Sequence, residues 1–425
     1  MSTASWAPIV VVLLGVIAIP ARATTISVTN TNDSGPGSLR QALAIANEGD
    51  TIDATGISGT ITLTGGELLV EKSVTINGAG AEVLAVDGHT TSSVFQIGTG
   101  STLPTVAISG LTIRNGQGGF GGGISNGSGA TLTITNSTIS GNASAFGGGI
   151  FNGGPLTISN TTISGNTASE GGGVYSNSSL TITNSTISGN TGNSGGGGGV
   201  FNIGTAAITN STLSNNSANE GGGIFTIGTV QIGDSVLNAG ASGVTIANNG
   251  GTVTSRGYNL SSDNGGGFLT GPGDQINTDP MLGPLQNNGG PTFTHELLPG
   301  SPAIDAGDPN FTPPPSFDQR GPGFDRVVNG RIDKGSFEVE TQTVAIQLQG
   351  SGRKVGGIDT SRLTWSGATS NSIDAYRDGV VIATVPNTGI YTDSTGTTGR
   401  ASFTYKVCEA GTQTCSNEAT VRFRR

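Results

Sequence analysis

The sequence predicts an all-β protein: a right-handed parallel β-helix with three strands per coil, an N-terminal capping helix and a small C-terminal β-sandwich. Two observations predict the β-helix. The phrase LTITNSTISGN recurs with small changes at residues 132–142, 156–166 and 180–190. Glycine makes up 74 of the 425 residues and falls in clusters between these phrases. The resulting period of about 24 residues is typical of units that stack on one another.

The composition of the repeat selects strands over helices. The segments are rich in Thr, Ile and Ser and have a local apolar period near 2. One isoleucine marks each unit at a nearly constant spacing: Ile134, Ile158, Ile182, Ile208 and Ile232. Copies that follow one another in the same direction pair in parallel, and about 24 residues suits a coil of three strands. The glycines would allow the sharp bends between strands.

One asparagine series keeps the same register in successive coils, two residues after the marking isoleucine: Asn136, Asn160, Asn184 and Asn210. Side-chain amides stacked at the strand spacing of about 4.8 Å can donate to and accept from one another. We therefore predict that this series forms a structural ladder. A second series, Asn142, Asn166, Asn190 and Asn216, falls at a turn and can stack in the same way.

The N-terminal elements come next. Residues 1–23 have the apolar core IVVVLLGVIAI and a small-residue pattern, Ala21-Arg22-Ala23, that predict a cleaved signal peptide. Residues 24–51 would supply a first strand and a capping helix. Ser38 and Gln41 form a capping box there, and an apolar face follows at helical spacing. The helix would cover the open end of the β-stack, which otherwise invites aggregation.

Three segments complete the chain. We expect the β-helix over 52–270, a Pro-rich and turn-rich C-terminal cover of the helix over 271–340, and a β-sandwich over 344–425. The sandwich has short alternating strands and a tight hairpin signal at Arg377-Asp378-Gly379-Val380. Cys408 and Cys415 lie close together in an exported chain, so we predict that they form a disulfide.

Charge limits the possible partners. The formal net charge of −10 disfavours nucleic acid, and no segment after the signal peptide is apolar enough to span a membrane. We expect a secreted or cell-surface monomer whose partner is an extracellular polysaccharide or a protein surface.

The search for catalytic residues gives only weak candidates. Between Asn115 and Ser255 there is no Lys, Arg or His, so the regular coils lack the base that a polysaccharide lyase needs. Glu170 and Glu220 occupy equivalent places two coils apart, at a spacing of roughly 10 Å, near the upper edge of the range for an inverting hydrolase. The simpler interpretation of this pair is two solvated turn carboxylates.

Metal and cofactor candidates are equally weak, and no cofactor is predicted. Asp305, Asp308 and Asp318, together with Asp333, could hold calcium, but their spacing matches no calcium-loop motif. Turn formation and capping explain these residues better. His89 and His295 have no partner in the sequence and are expected to be exposed. Arg320 is expected to pair with a nearby aspartate.

Several motifs resemble known bacterial families. GSLRQALAIAN after DSGPG resembles the start of secreted and surface parallel β-helix proteins, and GGGIFN at 147–152 is similar to the repeat of polymorphic outer membrane proteins. NNGGPTFTHELLPGSPAIDAGD, with DQRG and DKGSFE, resembles the choice-of-anchor Q region, and residues 344–425 resemble a fibronectin type III-like module. The resemblance implies a pectin-lyase-like fold and a bacterial extracellular location. It does not imply lyase activity, because this fold hosts many functions.

Two functions remain open from the sequence. The first is a non-catalytic, adhesin-like scaffold that binds glycans or surfaces. The second is a polysaccharide-active lyase or hydrolase whose site lies in the irregular coils or in a groove beside them. The absence of cationic residues from the regular coils favours the scaffold.

Overall fold

The computed structural model describes residues 23–340, 346–411 and 414–424. The chain divides after Val339 into two compact units, which we call the helix unit and the sandwich unit. The predicted signal peptide falls almost wholly on residues 1–22, which lie outside the described residues. None of the helices in the described part of the chain is long and apolar enough to cross a membrane.

The helix unit begins with short elements around the capping helix. In chain order they are β1 (Thr25–Ser27), α1 (Leu39–Ile45), β2 (Thr51–Ala54), β3 (Gly59–Thr62), β4 (Leu68–Val70), β5 (Thr75–Gly78), β6 (Leu84–Asp87) and β7 (Phe95–Ile97). Ser38 is the N-cap of α1, and its hydroxyl accepts a hydrogen bond from the Gln41 N–H at 3.2 Å. Leu39 and Ala42 are buried and face the β-helix core. The predicted capping helix is therefore present.

The regular coils follow. Their strands are β8 (Thr105–Ser109), β9 (Thr112–Arg114), β10 (Gln117–Phe120), β11 (Ile124–Asn126), β12 (Thr131–Thr135), β13 (Thr138–Ser140), β14 (Ala143–Phe146), β15 (Ile150–Asn152), β16 (Leu156–Ser159), β17 (Thr162–Ser164), β18 (Thr167–Glu170), β19 (Val174–Ser176), β20 (Ser179–Thr183), β21 (Thr186–Ser188), β22 (Thr191–Gly196), β23 (Val200–Asn202), β24 (Thr205–Thr209), β25 (Thr212–Glu220), β26 (Ile224–Thr226), β27 (Thr229–Gly233), β28 (Val236–Ala239), β29 (Ile246–Asn248), β30 (Thr252–Gly257) and β31 (Leu260–Ser261).

These strands form three parallel sheets along the helix. In the described chain the first sheet has ten strands, in the order β1-β2-β5-β8-β12-β16-β20-β24-β27-β30. The second has thirteen, running β10-β14-β18-β22-β25-β21-β17-β13-β9-β6-β3 with β28 and β31 attached. The third has eight, β4-β7-β11-β15-β19-β23-β26-β29. Each of the middle coils contributes two short strands to the second sheet, and these two strands meet at a bend.

The predicted parallel β-helix is confirmed by this strand order. The length of its coils also agrees with the prediction, since Asn142 and Asn166 occupy the same place in adjacent coils and are 24 positions apart.

The core is built from columns of identical side chains. Ile134, Ile158, Ile182 and Ile208 pair in register through the first sheet and are fully buried. Because every coil repeats the same apolar side chain at the same place, each coil covers the one before it. Burial of one such side chain contributes about 1.5–3 kcal/mol.

Every regular coil turns three corners, each with a residue in the left-handed region. At the first corner the residue is usually asparagine, as at Asn136 with φ of 48°. At the second and third it is usually glycine, as at Gly141 with φ of 65° and Gly147 with φ of 67°. Asparagine tolerates this conformation better than other side chains, whereas glycine has no steric penalty there.

The predicted Asn136–Asn210 series therefore has a different main role from the one expected. Asn136, Asn160, Asn184 and Asn210 all have φ near 50° and form the first corner. One bond joins two of their amides, from Asn184 Nδ2 to Asn160 Oδ1 at 2.7 Å. The sequence could not separate the two roles, because asparagine is favoured both in amide ladders and in left-handed turns.

The continuous ladder is the second series, after the second corner. Each amide nitrogen donates to the amide oxygen of the next coil at 2.9 Å, in the order Asn142, Asn166, Asn190 and Asn216. Each also donates to a main-chain carbonyl, as Asn190 does to Ile163 O at 2.9 Å. All four side chains are buried. Buried amides with these bonds fix the register of the stack, because a shifted coil would leave them unsatisfied.

The cover follows the last coil. A 3-10 helix at Gly265–Gly267 precedes the cover. The cover itself contains the antiparallel hairpin of β32 (Leu282–Gln286) and β33 (Thr294–Leu297) and otherwise consists of loops. It lies on the outward face of the second sheet. Thr162 Oγ1 donates to Phe293 O, and Thr186 Oγ1 donates to Gln319 Oε1, each at 2.6 Å. The cover thus docks on the side of the helix.

The sandwich unit contains two antiparallel sheets. Its strands are β34 (Gln347–Val355), β35 (Ile358–Ser366), β36 (Ser372–Arg377), β37 (Val380–Pro386), β38 (Ile390–Ser394), β39 (Ala401–Glu409) and β40 (Ala419–Phe423). The sheets have the orders β34-β35-β38 and β37-β36-β39-β40. Trp365 and Tyr405 are buried between them, and the Cys408–Cys415 disulfide is formed. The assignment of this unit to the fibronectin type III-like modules stays a prediction.

Candidate functional site

An open cleft lies where the cover begins on the second sheet. The outward threonines Thr112, Thr138, Thr162, Thr186 and Thr212 form one column through successive coils. The cover contacts this column from Thr162 onward. The hydroxyls of Thr112 and Thr138 line a recess at the edge of the cover instead. The uncovered coils form the floor of the cleft, and the edge of the cover forms its wall.

The cleft contains two recesses beside each other over the same coils. The first, of about 460 Å³, lies at the first corner. Its lining residues are Gly78, Ala79, Gly80, Ser109, Gly110, Asn136 and Asn160 from the helix and Pro291, Pro315, Ser316, Phe317, Gly321 and Pro322 from the cover. The second, of about 440 Å³, lies over the strands and is lined by Ala81, Glu82, Thr112, Arg114, Thr138, Ser140, Thr162, Ser164 and Phe293. Phe293 is 40 % exposed and Phe317 is 37 % exposed.

Arg114 is the one cationic side chain among the residues that line these recesses. Its Nε donates to Asp87 Oδ2 at 2.9 Å, and its side chain remains 40 % exposed. Burial alone would raise the pKa of Asp87, but hydrogen bonds from the His89 N–H, the Asn115 amide and Arg114 hold that pKa below its usual value. Asp87 thus stays ionised and orients the guanidinium, whose Nη1 makes no hydrogen bond within the described residues and can donate to a ligand.

Gln319 anchors the wall of the cleft to the floor. Its Nε2 donates to Thr162 Oγ1 at 2.9 Å and to Thr292 Oγ1 at 3.0 Å, while its Oε1 accepts from Thr186. The side chain is fully buried. The aromatic ring of Phe293 is therefore held beside the floor by a satisfied, buried amide.

Arg320 fixes the same wall from behind. Its guanidinium lies between the rings of Phe324 and Phe337, at 3.9 and 3.8 Å from their centroids, and pairs with the buried Asp318 at 2.7 Å. A Cβ at Gly290 would lie 2.4 Å from the Arg320 backbone, so only glycine fits at that approach. The pairing of Arg320 with an aspartate is confirmed. Asp318 is consequently fully engaged in the DQRG turn, and the structure does not bring it to the other calcium candidates.

The remaining calcium candidates do not all lie together in the structure. Asp308 donates its N–H to Asp234 Oδ1 at 2.7 Å. Asp305 instead lies with Asp333 and Glu338, and one carboxylate oxygen from each of the three lies within 4.8 Å of the other two. The oxygens of Asp333 and Glu338 accept main-chain N–H groups, as Glu338 Oε2 does from Asp333 N at 2.8 Å.

A buried arginine balances this acidic group. Arg326 is fully buried, and its Nη2 donates to the carbonyls of Asp333 and Gly335. Burial raises the pKa of Asp333 to about 6, and burial together with Asp333 raises that of Glu338 to about 8, while Arg326 acts in the opposite direction. Asp333 and Glu338 thus accept main-chain N–H groups within the cover, and the turn-forming and capping roles of the calcium candidates stay predictions.

His295 was predicted to be exposed, and this prediction is wrong. It is buried, with Nε2 at 2.9 Å from Ser188 Oγ and Nδ1 at 2.7 Å from Gly283 O. Ser188 lies on the outward face of the second sheet, so the pair joins the cover to the helix. Both residues are shielded from solvent and cannot meet a substrate without movement of the cover.

Glu170 and Glu220 line a third recess, of about 360 Å³, at the third corner. Beside them a stack of aromatic rings runs along the helix, with Tyr175, Phe201 and Phe225 at centroid distances of 4.9 Å. Neither glutamate makes a side-chain hydrogen bond or ion pair within the described residues. The catalytic role of this pair stays untested.

Part of this arrangement had a sequence signal. Phe151, Tyr175, Phe201 and Phe225 follow one another at the same intervals as the isoleucine series. The period therefore places these rings in one column. The cleft had no comparable signal, because its wall and floor come from distant segments; Phe293 and Thr162, for example, are 131 positions apart.

Comparisons with known proteins add little on function. No family model matches the chain, and no curated protein matches it. Among solved structures, the chain is similar to the crystal structure of pectate lyase Pel9A, with 17 % sequence identity and a TM-score of 0.38, over 76 % of this chain and 97 % of that one. Identity and TM-score this low carry no argument about activity, and the fold assignment depends on the strand pairing described above.

Proposed function

We propose that this protein is an exported, non-catalytic scaffold that binds a glycan in the cleft between the second sheet and the cover. The observation that carries the proposal is the pairing of two partly exposed rings on the wall with a floor of hydroxyl and amide groups. Apolar faces of sugar rings pack on Phe293 and Phe317, while sugar hydroxyls exchange hydrogen bonds with groups such as Thr138 Oγ1 and the Asn136 amide.

The carboxylates of the cleft favour binding over hydrolysis. Glu82 and Arg114 are the charged residues among those that line the two recesses. A hydrolase needs two carboxylates that flank the bond, and this lining provides one. Glu82 also accepts a hydrogen bond from Asn287 at 2.9 Å, which ties it to the cover. We expect Arg114 to bind ligand oxygens as a donor.

The test is a binding measurement with the purified protein on immobilised neutral and acidic polysaccharides. Phe293→Ala and Thr138→Val should each lower the affinity by about five- to tenfold, because each removes one contact worth about 1 kcal/mol. Leu103→Ala is the matched control, since Leu103 is 63 % exposed and does not line either recess. Equal binding by all variants would contradict the proposed cleft.

A second candidate function is hydrolysis at Glu170 and Glu220, because these two carboxylates share one recess. The same polysaccharides should be followed for new reducing or unsaturated ends, with and without calcium. Cleavage of any substrate would overturn the non-catalytic proposal. Loss of that cleavage in both Glu170→Gln and Glu220→Gln would assign the activity to this pair.

A further inference from the structure

The recess at the third corner owes its shape to an irregular coil. The coil that contains β22 is longer than the one before it, since Asn190 and Asn216 are 26 positions apart whereas Asn166 and Asn190 are 24 apart. Its pairing with β25 shifts register between Gly192 and Gly196. The extra length forms one side of the recess, and Gly195 packs directly against the side chain of Glu170. Bulges that are retained in a regular sheet commonly reshape a surface for a ligand.

The two ends of the recess carry carboxylates that make no ion pair within the described residues. Glu170 is half-buried and Glu220 is exposed, and the stretch from Asn115 to Ser255 contains no Lys, Arg or His. The N–H after Glu170, that of Gly171, donates to Gly196 O, and the N–H after Gly196, that of Gly197, donates to Glu220 O, so the two glutamates share one column with one coil between them. Their separation along the helix is therefore about 10 Å.

The surface between the glutamates is narrow, and the polar residues Ser194 and Asn219 contribute to its lining. Phe201 and Phe225, which are 7 % and 8 % exposed, line it with their edges. The position between the two glutamates in their column is Gly196, where a Cβ would lie 2.4 Å from the Phe225 ring. The negative charge of Glu170 also contributes, after burial, to the raised pKa of Tyr175 in the same aromatic stack. Carboxylates beside aromatic rings attract cationic groups through both charge and ring electrostatics.

We propose that this recess binds a linear aliphatic polyamine, with one ammonium group at Glu170, another at Glu220, and the methylene groups between them on Phe201 and Phe225. The site is separate from the proposed glycan cleft and does not depend on it.

Calorimetric titration of the purified protein with spermidine and with linear diamines of increasing length tests the proposal. Affinity should rise with chain length until the two ammonium groups can reach both carboxylates, and a monoamine of similar length should bind several-fold more weakly. An affinity that depends only on the number of charges, and not on their spacing, would overturn the proposal.

Variants distinguish binding of a polyamine in this recess from its non-specific attraction to an acidic protein. Glu170→Gln and Glu220→Gln should each lower spermidine affinity at least about threefold, and the double variant should remove the spacing dependence. Glu418→Gln, an exposed glutamate in the sandwich unit, is the matched control and should change nothing. An equal effect of the control would show non-specific charge attraction and overturn the proposal. Phe201→Leu should weaken long diamines more than the monoamine, and its thermal unfolding verifies the fold.

Discussion

The hydroxyl of Ser188 lies 2.9 Å from Nε2 of His295, although the two residues are 107 positions apart in the chain. The other ring nitrogen, Nδ1, lies 2.7 Å from the Gly283 carbonyl and must donate, because a carbonyl only accepts. In the neutral imidazole Nε2 then accepts from Ser188. A protonated ring would reverse this bond, with Nε2–H donating to Ser188 Oγ, so the burial of His295, rather than the bond itself, disfavours the charged form.

The burial of His295 predicts an acid-dependent loss of stability. Burial lowers the pKa of His295 below its ordinary value of 6.5, against the opposing bond to Gly283. As the pH falls below about 6.5, the unfolded chain therefore binds a proton that the folded chain does not, and the free energy of unfolding decreases. His295→Gln should remove this acid-side slope and lower stability at pH 7.5 by about 1–2 kcal/mol. Denaturant unfolding between pH 7.5 and 5 measures both effects, and the exposed His89→Asn should keep the wild-type slope.

Glu338 predicts a pH dependence of stability with the opposite sign, between about pH 4.5 and 8. Its pKa is raised to about 8 in the folded state from an ordinary value of 4.5, so between these values the folded protein holds a proton that the unfolded chain releases. Stability attributable to this group falls as the pH rises through that window. Glu338→Gln should gain relative to wild type as the pH rises, by at most about 1.4 kcal/mol per pH unit. Unfolding at pH 6, 7 and 8 tests this, and identical slopes for both proteins would contradict it. The exposed Glu340→Gln is the control.

We expect substitutions in the two asparagine series to lower the free energy of unfolding by different amounts. Asn190→Ala removes a buried amide that serves the coils on both sides. The main-chain N–H and the side-chain Nδ2 of Asn166 both lose their acceptor, Asn190 Oδ1, and Asn216 Oδ1 keeps only the main-chain N–H of residue 190. We expect a loss of about 3 kcal/mol or more. Asn136→Gly should cost only a few tenths of a kcal/mol, because glycine accepts the left-handed corner. Urea unfolding compares the two, and equal losses would argue against the ladder as the dominant role of the second series.

Substitutions of two corner glycines should also lower the free energy of unfolding by different amounts. A Cβ at Gly147 would lie 2.1 Å from the Ile150 carbonyl oxygen, whereas a Cβ at Gly165 would meet nothing within 4 Å. Both have φ above 60°. Gly165→Ala should therefore cost about 1 kcal/mol from backbone conformation alone, and Gly147→Ala more than about 3 kcal/mol. Thermal unfolding of the pair separates steric overlap from conformational strain, and similar losses would refute the steric argument.

The features that follow the period were predictable. Ile134 and Ile158 occupy the same place in successive repeats and pair directly, and Ser38 caps the helix whose apolar face it precedes. These depend on local patterns. The corner role of Asn136 was missed because its amide suits two structures equally well.

The cleft could not be predicted from the same patterns. Its geometry depends on where the cover docks, and that is decided by pairs such as Thr162 with Phe293 and Ser188 with His295. These residues are ordinary in type, and no spacing marks them. The exposure of Arg114 likewise depends on the cover contacting the column at Thr162, with Thr112 left in the open recess.

Because Asn142, Asn166 and Asn190 use the same bonds to the same neighbours, a coil inserted among them would find its partners already in place. Duplication of one whole coil is thus a conservative change for such a chain. The cover restricts where that can happen, since Thr162, Thr186 and Thr212 each meet a particular partner in the cover. Coils can therefore be gained or lost in the part of the β-helix before Thr162. Such a change would move the end that α1 covers away from the cleft or towards it. The number of coils that contact the cover would stay the same.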